Sequence, residues 1–200
     1  MRIPDNFLYY LSMHESCSEP QLCRAEKLTT EDVELSPDPE DVGIRKMISS
    51  VLAEIYRMRA FVRLKPLDNQ VLYGYLKPRH KTGDDICRFF ARRSPFTIIV
   101  LGNSLESWIS LCAGGRVLQD NSCSSLEQTL DEISSVLGRV EKDRDLEEVW
   151  KVYYSSQYSP ERRNIKAFHR RMPRDALDRA GLELEQNVNG LTLSDFFDSD

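Results

Sequence analysis

The sequence of 200 residues has no long hydrophobic run, no closely spaced cysteine pair and no glycine-rich phosphate loop. A helix that spans a bilayer needs about 20 consecutive apolar residues, and no stretch of this chain approaches that length, so we predict no membrane association. The apolar stretch at residues 7–11 is short and lacks a small-residue cleavage site. This argues against a signal peptide and favours a cytoplasmic protein.

The five cysteines are an odd number, and no two of them are separated by only two residues. That spacing does not suit a closed zinc site, a radical-SAM iron–sulfur cluster or a secreted disulfide framework. We therefore expect free thiols, no metal site and no cofactor. A Ser-His-Asp arrangement cannot be placed either, so no motif indicates an enzyme class.

The net charge of −5 hides an uneven distribution of charged residues. Residues 57–93 carry ten lysines and arginines against three aspartates, and residues 160–174 carry six against one glutamate. The segments 1–40 and 175–200 are acidic. The basic segments could converge on one phosphate-binding face, because attraction to phosphates is additive and independent of chain order. The alternative is that the acidic segments neutralise them.

Hydrophobic periodicity predicts an α+β domain over residues 41–185, between an acidic amino-terminal arm (1–40) and an acidic flexible tail (186–200). Residues 14–41 are rich in serine, proline and acidic residues, which favours a loop over a helix. In residues 41–56 apolar side chains recur every three or four positions. This spacing predicts an amphipathic helix that faces the core.

A mixed or antiparallel sheet of about four strands is predicted from the apolar runs that follow. Residues 59–66 and 70–77 alternate around a short turn, as in a β-hairpin. Residues 96–101 form a nearly continuous apolar run typical of a buried strand, and residues 106–112 are its expected neighbour. One helix is predicted from a cap at Thr82 or Asp84 to Arg93. Three more are predicted over residues 124–137, 143–156 and 160–171, so the carboxyl half is expected to be largely helical.

Five sequence blocks carry a resemblance to a known family. The blocks are FVRLK (61–65), LYGYLKPRH (72–80), FFARRSPFTIIV (89–100), WKVYYSSQYSPERRN (150–164) and RRMP (170–173). In order and spacing they resemble a prokaryotic domain family of unknown function, described as a probable DNA metabolism or repair protein. The resemblance spans residues 41–175 and implies a setting beside a radical-SAM protein or ahead of a uracil-DNA glycosylase domain. A radical-SAM protein is therefore a candidate partner.

Several cations in these blocks suit a nucleic-acid site. Guanidinium groups bind phosphate oxygens and base edges, and an asparagine amide can pair with adenine. We expect Arg63 in the middle of a strand. Salt bridges to Glu147 and Glu148 are the structural alternative for the arginines of the short helix at 88–93 and of the carboxyl-terminal blocks. The candidates for DNA or RNA binding are Arg63, Lys77, Arg79, Arg92, Arg93, Arg162, Arg163, Asn164 and Arg171.

His80 is the candidate catalytic residue. It follows the second predicted strand among Lys77, Arg79 and Lys81, whose positive field would lower the pKa of the imidazole and keep it neutral. A neutral imidazole could act as an acid or base on a nucleotide or nucleic acid. A histidine that only caps a loop is the structural alternative.

The last eleven residues, Gly190–Asp200, place Leu193, Phe196 and Phe197 at i, i+3 and i+4, on one side of a helical turn. This segment resembles the peptide by which replication and repair proteins bind a sliding clamp, with Gly190 where that motif usually has glutamine. A sliding clamp is therefore a candidate partner. Docking of the two phenylalanines on the protein's own surface is the alternative.

Three functional hypotheses follow from these observations. The chain is a DNA-repair or DNA-metabolism accessory that binds nucleic acid through a basic face and is recruited by a clamp, or a nucleotide-modifying or nucleic-acid-modifying enzyme that uses His80. In the third hypothesis it is a protein-binding adaptor for a radical-SAM partner. Salt dependence separates the first hypothesis from the third, because phosphate binding weakens steeply as salt rises.

Overall fold

The structure is a computed structural model and describes residues 2–68, 70–137 and 174–181. The predicted mixture of helices and strands is confirmed, while the predicted helices at 143–156 and 160–171 lie outside the described residues. In chain order the elements are α1 (Phe7–Ser12), α2 (Glu19–Ala25), α3 (Thr30–Leu35), α4 (Pro39–Phe61), β1 (Lys65–Asp68), β2 (Val71–Tyr75), α5 (Gly83–Arg93), β3 (Ile98–Gly102), β4 (Ser107–Ala113), β5 (Arg116–Ser122), α6 (Leu126–Leu137) and α7 (Arg174–Arg179).

The sheet is mixed and has five strands in the order β1-β2-β3-β4-β5, one more than predicted. Strands β2 and β3 are parallel, and the other neighbours are antiparallel. The additional strand is β5, which follows β4 through Gly114 and Gly115, both at positive φ. Its sequence RVLQDNS is mostly polar and exposed, so hydrophobic patterning could not reveal it.

Helix α5 connects the parallel strands β2 and β3 and packs on the sheet. Cys87 of this helix contacts the carbonyl oxygens of Ile99 (3.5 Å) and Trp108 (3.3 Å), and burial raises the pKa of its thiol to about 12. Ile86, Phe90, Ile99 and Trp108 belong to one hydrophobic cluster, together with residues of α4 and α7. The core of the domain therefore lies between the sheet and these helices.

Helix α4 begins and ends beyond the predicted limits. Asp38 caps it by accepting a hydrogen bond from the Glu40 amide at 2.8 Å. At the other end, residues 59–61 are helical, so the predicted strand at 59–66 was wrong in its first half. Arg63 accordingly lies in the link between α4 and β1 and not in the middle of a strand. Met58 and Val62 continue the apolar spacing of the helix, which explains the extension.

The prediction of a loop over residues 14–41 was also wrong, because α2 and α3 lie there. Their serine-rich and acidic sequences contain helix amino-terminal signals. The Ser18 amide donates to Gln21 at 2.9 Å, and Thr29 and Asp32 bond reciprocally. Together with α1, these helices pack a second hydrophobic cluster against the amino-terminal half of α4. None of the helices in the described ranges is long and apolar enough to cross a membrane.

Candidate nucleic-acid interface

The loop between β2 and α5 is held by a buried carboxylate on α4. Glu54 is 6% exposed, and its Oε1 accepts hydrogen bonds from the His80 amide (3.0 Å) and the Thr82 hydroxyl (2.9 Å). Its Oε2 accepts from the Arg79 amide (3.0 Å) and from Arg179 Nη1 (2.9 Å). A buried carboxylate with four donors, one of them cationic, is fully satisfied and therefore positions the loop.

His80 is 3% exposed, and both of its ring nitrogens are engaged. Nδ1 accepts from the Glu15 amide at 3.4 Å, and Nε2 lies 2.9 Å from Ser50 Oγ. An accepting Nδ1 leaves the proton on Nε2, which then donates to the serine. The ring also stacks on His14, with centroids 4.4 Å apart. The pKa of His80 is lowered as predicted, but burial is the largest cause and Arg79 only a minor one.

A small pocket of about 60 Å³ adjoins His80, between α4, the loop and α7. Arg57, Arg79 and Arg179 line it, with Asp175 and Glu54. Arg79 pairs with Glu15, and Arg179 pairs with both Glu54 and Asp175 at 2.9 Å. Two of the three cations are thus paired with carboxylates, and Arg57 donates to the Ala53 carbonyl oxygen at 3.2 Å. A catalytic role for His80 at this pocket stays a prediction.

Helices α4 and α5 run side by side in the same direction. Glu54 contacts Thr82 at the beginning of α5, and further along both helices the Arg59 guanidinium lies 4.7 Å from the centroid of the Phe89 ring. Contacts in the same order along two helices place their carboxyl ends together. Several of the predicted nucleic-acid residues lie at this shared end.

Four arginines occupy the shared carboxyl end, and we call Arg59, Arg63, Arg92 and Arg93 the arginine cluster. Arg63 is exposed and donates to the Ala60 carbonyl oxygen at 2.7 Å. Arg92 and Arg93 form the exposed last turn of α5, one turn beyond the ring that Arg59 covers. Among the described residues, none of the four pairs with a carboxylate. Arg59 Nε is buried and has no hydrogen-bond partner there.

Four arginines elsewhere in the domain are matched by acidic side chains, whereas Arg45 and Arg57 donate to backbone carbonyl oxygens. Arg24 contacts three carboxylates at the start of α4, and Arg88 lies 3.6 Å from Asp85. Arg79 and Arg179 are paired as described above. The acidic amino-terminal residues therefore neutralise their own neighbours and leave the arginine cluster uncompensated within the described ranges.

Phe96 lies three residues beyond the arginine cluster and was not among the predicted site residues. Its side chain is 71% exposed, and its φ angle is +62°, a backbone conformation that residues other than glycine rarely adopt. The apolar run at 96–101 predicts a buried strand from Phe96, but β3 begins at Ile98. The Ser94-Pro95 step after α5 is the sequence signal for a turn at this point.

The other predicted site residues are distributed as follows. Lys77 and Arg79 are exposed and lie in the loop that borders the pocket. The pocket residue Arg57 and the cluster residue Arg59 are two positions apart on α4, which is about 200° around the helix axis. Lys77 and Arg79 are thus not brought together with the arginine cluster. Arg162, Arg163, Asn164, Arg171, Leu193, Phe196 and Phe197 lie outside the described residues.

These features define an α+β domain with a mixed five-stranded sheet and an uncompensated group of arginines at one end of two helices. Residues 22–177 match the sequence model of a family described as a domain of unknown function, DUF4130. The match covers well over half of the chain, and the protein belongs to this family. No match was found among curated proteins or among solved structures.

Proposed function

We propose that this domain binds nucleic acid through the arginine cluster and serves as an accessory in DNA metabolism. The observation that carries the proposal is the concentration of four arginines without a carboxylate partner in the described structure. An acidic protein repels nucleic acid unless positive charge is collected at one place. Planar guanidinium groups suit phosphate oxygens, and each contact adds to a salt-dependent affinity.

Helix stability offers a competing reason for three of these arginines. Cations in the last turn of a helix interact favourably with its dipole, by about 0.3–1 kcal/mol each. Arg59, Arg92 and Arg93 occupy such positions. Charge removal therefore has to be tested on binding as well as on stability, and glutamine is preferable to glutamate because it avoids a repulsive charge at the helix end.

The first experiment measures fluorescence anisotropy of labelled single-stranded and duplex DNA of about 15 nucleotides over a range of salt concentrations. We expect the affinity of the wild type to fall as salt rises. In the Arg92→Gln/Arg93→Gln variant the plot of log K against log salt concentration should become shallower by about 1.4 on single strands, because each phosphate contact contributes about 0.7 to the magnitude of the slope.

The matched control is Lys27→Gln/Lys46→Gln, which removes the same charge from an exposed position in the turn after α2 and an exposed position in α4. It should leave the slope unchanged. If the wild type binds neither form of DNA, or if both double variants weaken binding equally, the proposal is wrong. Salt-insensitive association with a protein partner would instead favour the adaptor hypothesis.

Two further parts of the proposal rest on sequence resemblance. We propose that the tail with Leu193, Phe196 and Phe197 recruits the protein to a sliding clamp, and that a radical-SAM protein supplies chemistry beside it. Removal of residues 190–200 should abolish association with a clamp, measured by calorimetry, and leave DNA affinity unchanged. Retained clamp association would exclude this segment as the recruiting peptide.

A further inference from the structure

Phe96 exposes a large apolar ring at a strained backbone position. The left-handed conformation costs a residue with a side chain about 1–2 kcal/mol, which glycine would avoid. The ring is 71% exposed, so little apolar burial offsets that cost. A strained backbone conformation at a residue whose side chain is not packed in the core is typical of ligand-binding positions.

The backbone around Phe96 is anchored on both sides. The Phe96 amide donates to the Cys112 carbonyl oxygen at 2.8 Å, and the Thr97 amide donates to Ser94 at 3.3 Å. Ile98, which begins β3, donates to Gln70 at 2.8 Å. These hydrogen bonds hold the backbone that presents the aromatic side chain to solvent, and a ring on an anchored backbone loses little conformational entropy when a ligand stacks on it.

Phe96 follows closely in the chain after Arg93 of the arginine cluster. Three peptide steps separate Phe96 from Arg93, so their Cα atoms are at most about 11 Å apart. A nucleotide strand presents a base and a phosphate over this range. From this arrangement we infer that Phe96 stacks on an unpaired base while the arginine cluster holds the backbone phosphates, so that the site selects single-stranded nucleic acid. The inference rests on the proposed function and adds its substrate class.

The preference for a single strand follows from what a ring can reach. In a duplex each base face is covered by its neighbours, and only base edges are accessible in the grooves. An unpaired base exposes its face, and stacking on an aromatic side chain tolerates any base. An abasic strand keeps the phosphates and lacks the stacking partner, which makes it the discriminating probe.

The test compares three labelled probes of about 15 nucleotides: an oligothymidine, an abasic strand and a duplex. Phe96→Gly should weaken oligothymidine binding by about 5- to 100-fold and leave the other two probes unchanged. Phe96→Tyr keeps the ring and should keep the affinity. The matched control is Leu105→Gly, because Leu105 is 73% exposed in the turn at the other end of β3.

Unfolding of the variant does not explain a loss of binding in this test, because glycine relieves the strained φ angle. Phe96→Gly should therefore unfold at the same urea concentration as the wild type or at a higher one. Equal wild-type affinity for oligothymidine and abasic strand, with no effect of Phe96→Gly, would overturn the stacking inference and leave the proposed function standing. An equal loss on all three probes would overturn it as well. Failure of the wild type to bind any probe would remove the proposed function together with the inference.

Discussion

Glu54 accepts four hydrogen bonds at a buried position, and three of them come from the loop that contains His80. The carboxylate binds two backbone amides and the Thr82 hydroxyl of this loop and not the imidazole ring. The ring is held instead by Ser50 and by the Glu15 amide. At the scale of single residues, the arrangement around His80 therefore joins three parts of the chain and stabilises the loop after β2.

Replacement of Glu54 by alanine should lower the free energy of unfolding by about 3 kcal/mol, measured by urea denaturation. The change leaves Arg179 without its buried partner and three loop donors without an acceptor. The control is Glu40→Ala, which also removes an arginine contact but from a side chain that is 69% exposed. The control should cost less than about 1 kcal/mol. Similar losses in both variants would contradict a structural role for Glu54.

Single residues also differ in how far local sequence patterns reveal their place at the candidate site. Residue type and local charge select Arg63, Arg92 and Arg93 as candidates, because arginines in basic blocks suit phosphate. The same patterns do not select Phe96, since the following strand accounts for an apolar residue at that position. Its exposure and its φ angle are set by the hydrogen bond to Cys112, which belongs to another strand.

At the scale of secondary structure, local sequence signals act most clearly at helix ends. Thr29 with Asp32, and Asp38 before Pro39, begin α3 and α4 by satisfying amide groups that have no partner within the helix. The predicted loop at 14–41 overlooked these caps because serine and acidic residues also favour turns. Short helices of this kind depend on packing, and here Ala25 and Val33 bury against α4.

Two glycines at helices should respond in opposite directions to alanine. A Cβ atom at Gly83, at the start of α5, would lie 2.0 Å from Trp108 Cε2, so Gly83→Ala should destabilise the protein by about 3 kcal/mol and shift tryptophan fluorescence. A Cβ atom at Gly43 in α4 would meet nothing within 4 Å, so Gly43→Ala should stabilise it by about 1 kcal/mol. Urea midpoints check both changes, and an equal shift in the same direction would contradict this account of the packing.

At the scale of the whole molecule, α4 packs against both the amino-terminal helices and the core of the sheet. Residues 9–14 also contact residues 80–85 directly. The His14–His80 stack connects the two parts, and the Lys81 amide donates to the Met13 carbonyl oxygen at 2.9 Å. Tyr9 adds a hydrogen bond to Asp85 of α5 at 3.1 Å. Mutual contacts of this kind make the stability of one part depend on the other.

This connection should make stability depend on pH. Burial, as the largest cause, lowers the pKa of both His14 and His80, so the unfolded chain binds more protons than the folded chain below about pH 6.5. The free energy of unfolding should therefore fall as the pH drops from about 7 towards 5. Glu15, whose pKa is lowered by its hydrogen bond to Arg79, adds a loss only at more acidic pH. Glu54 faces the same pair and opposes the shift at His80.

Urea denaturation at about pH 7.5 and about pH 5.5 measures this dependence. His80→Gln should reduce the difference between the two conditions, because glutamine does not titrate and can still bond to Ser50. His14→Gln should reduce it through the other ring. A difference that is unchanged in both variants would show that these histidines do not link the parts of the molecule through their protonation.

The sequence by itself determined the elements that have a clear hydrophobic periodicity or a clear turn signal. These are α4, the β1–β2 hairpin, α5, β3, β4 and α6. Apolar spacing and turn residues act locally, so they are visible without neighbours. Only the tertiary structure decided that β5 completes the sheet, that His80 is buried by His14 and α4, that Arg59 lies beside the last turns of α5, and that Phe96 is exposed at a positive φ. Those results depend on the common direction of α4 and α5 and on hydrogen bonds between distant segments, which no local pattern encodes.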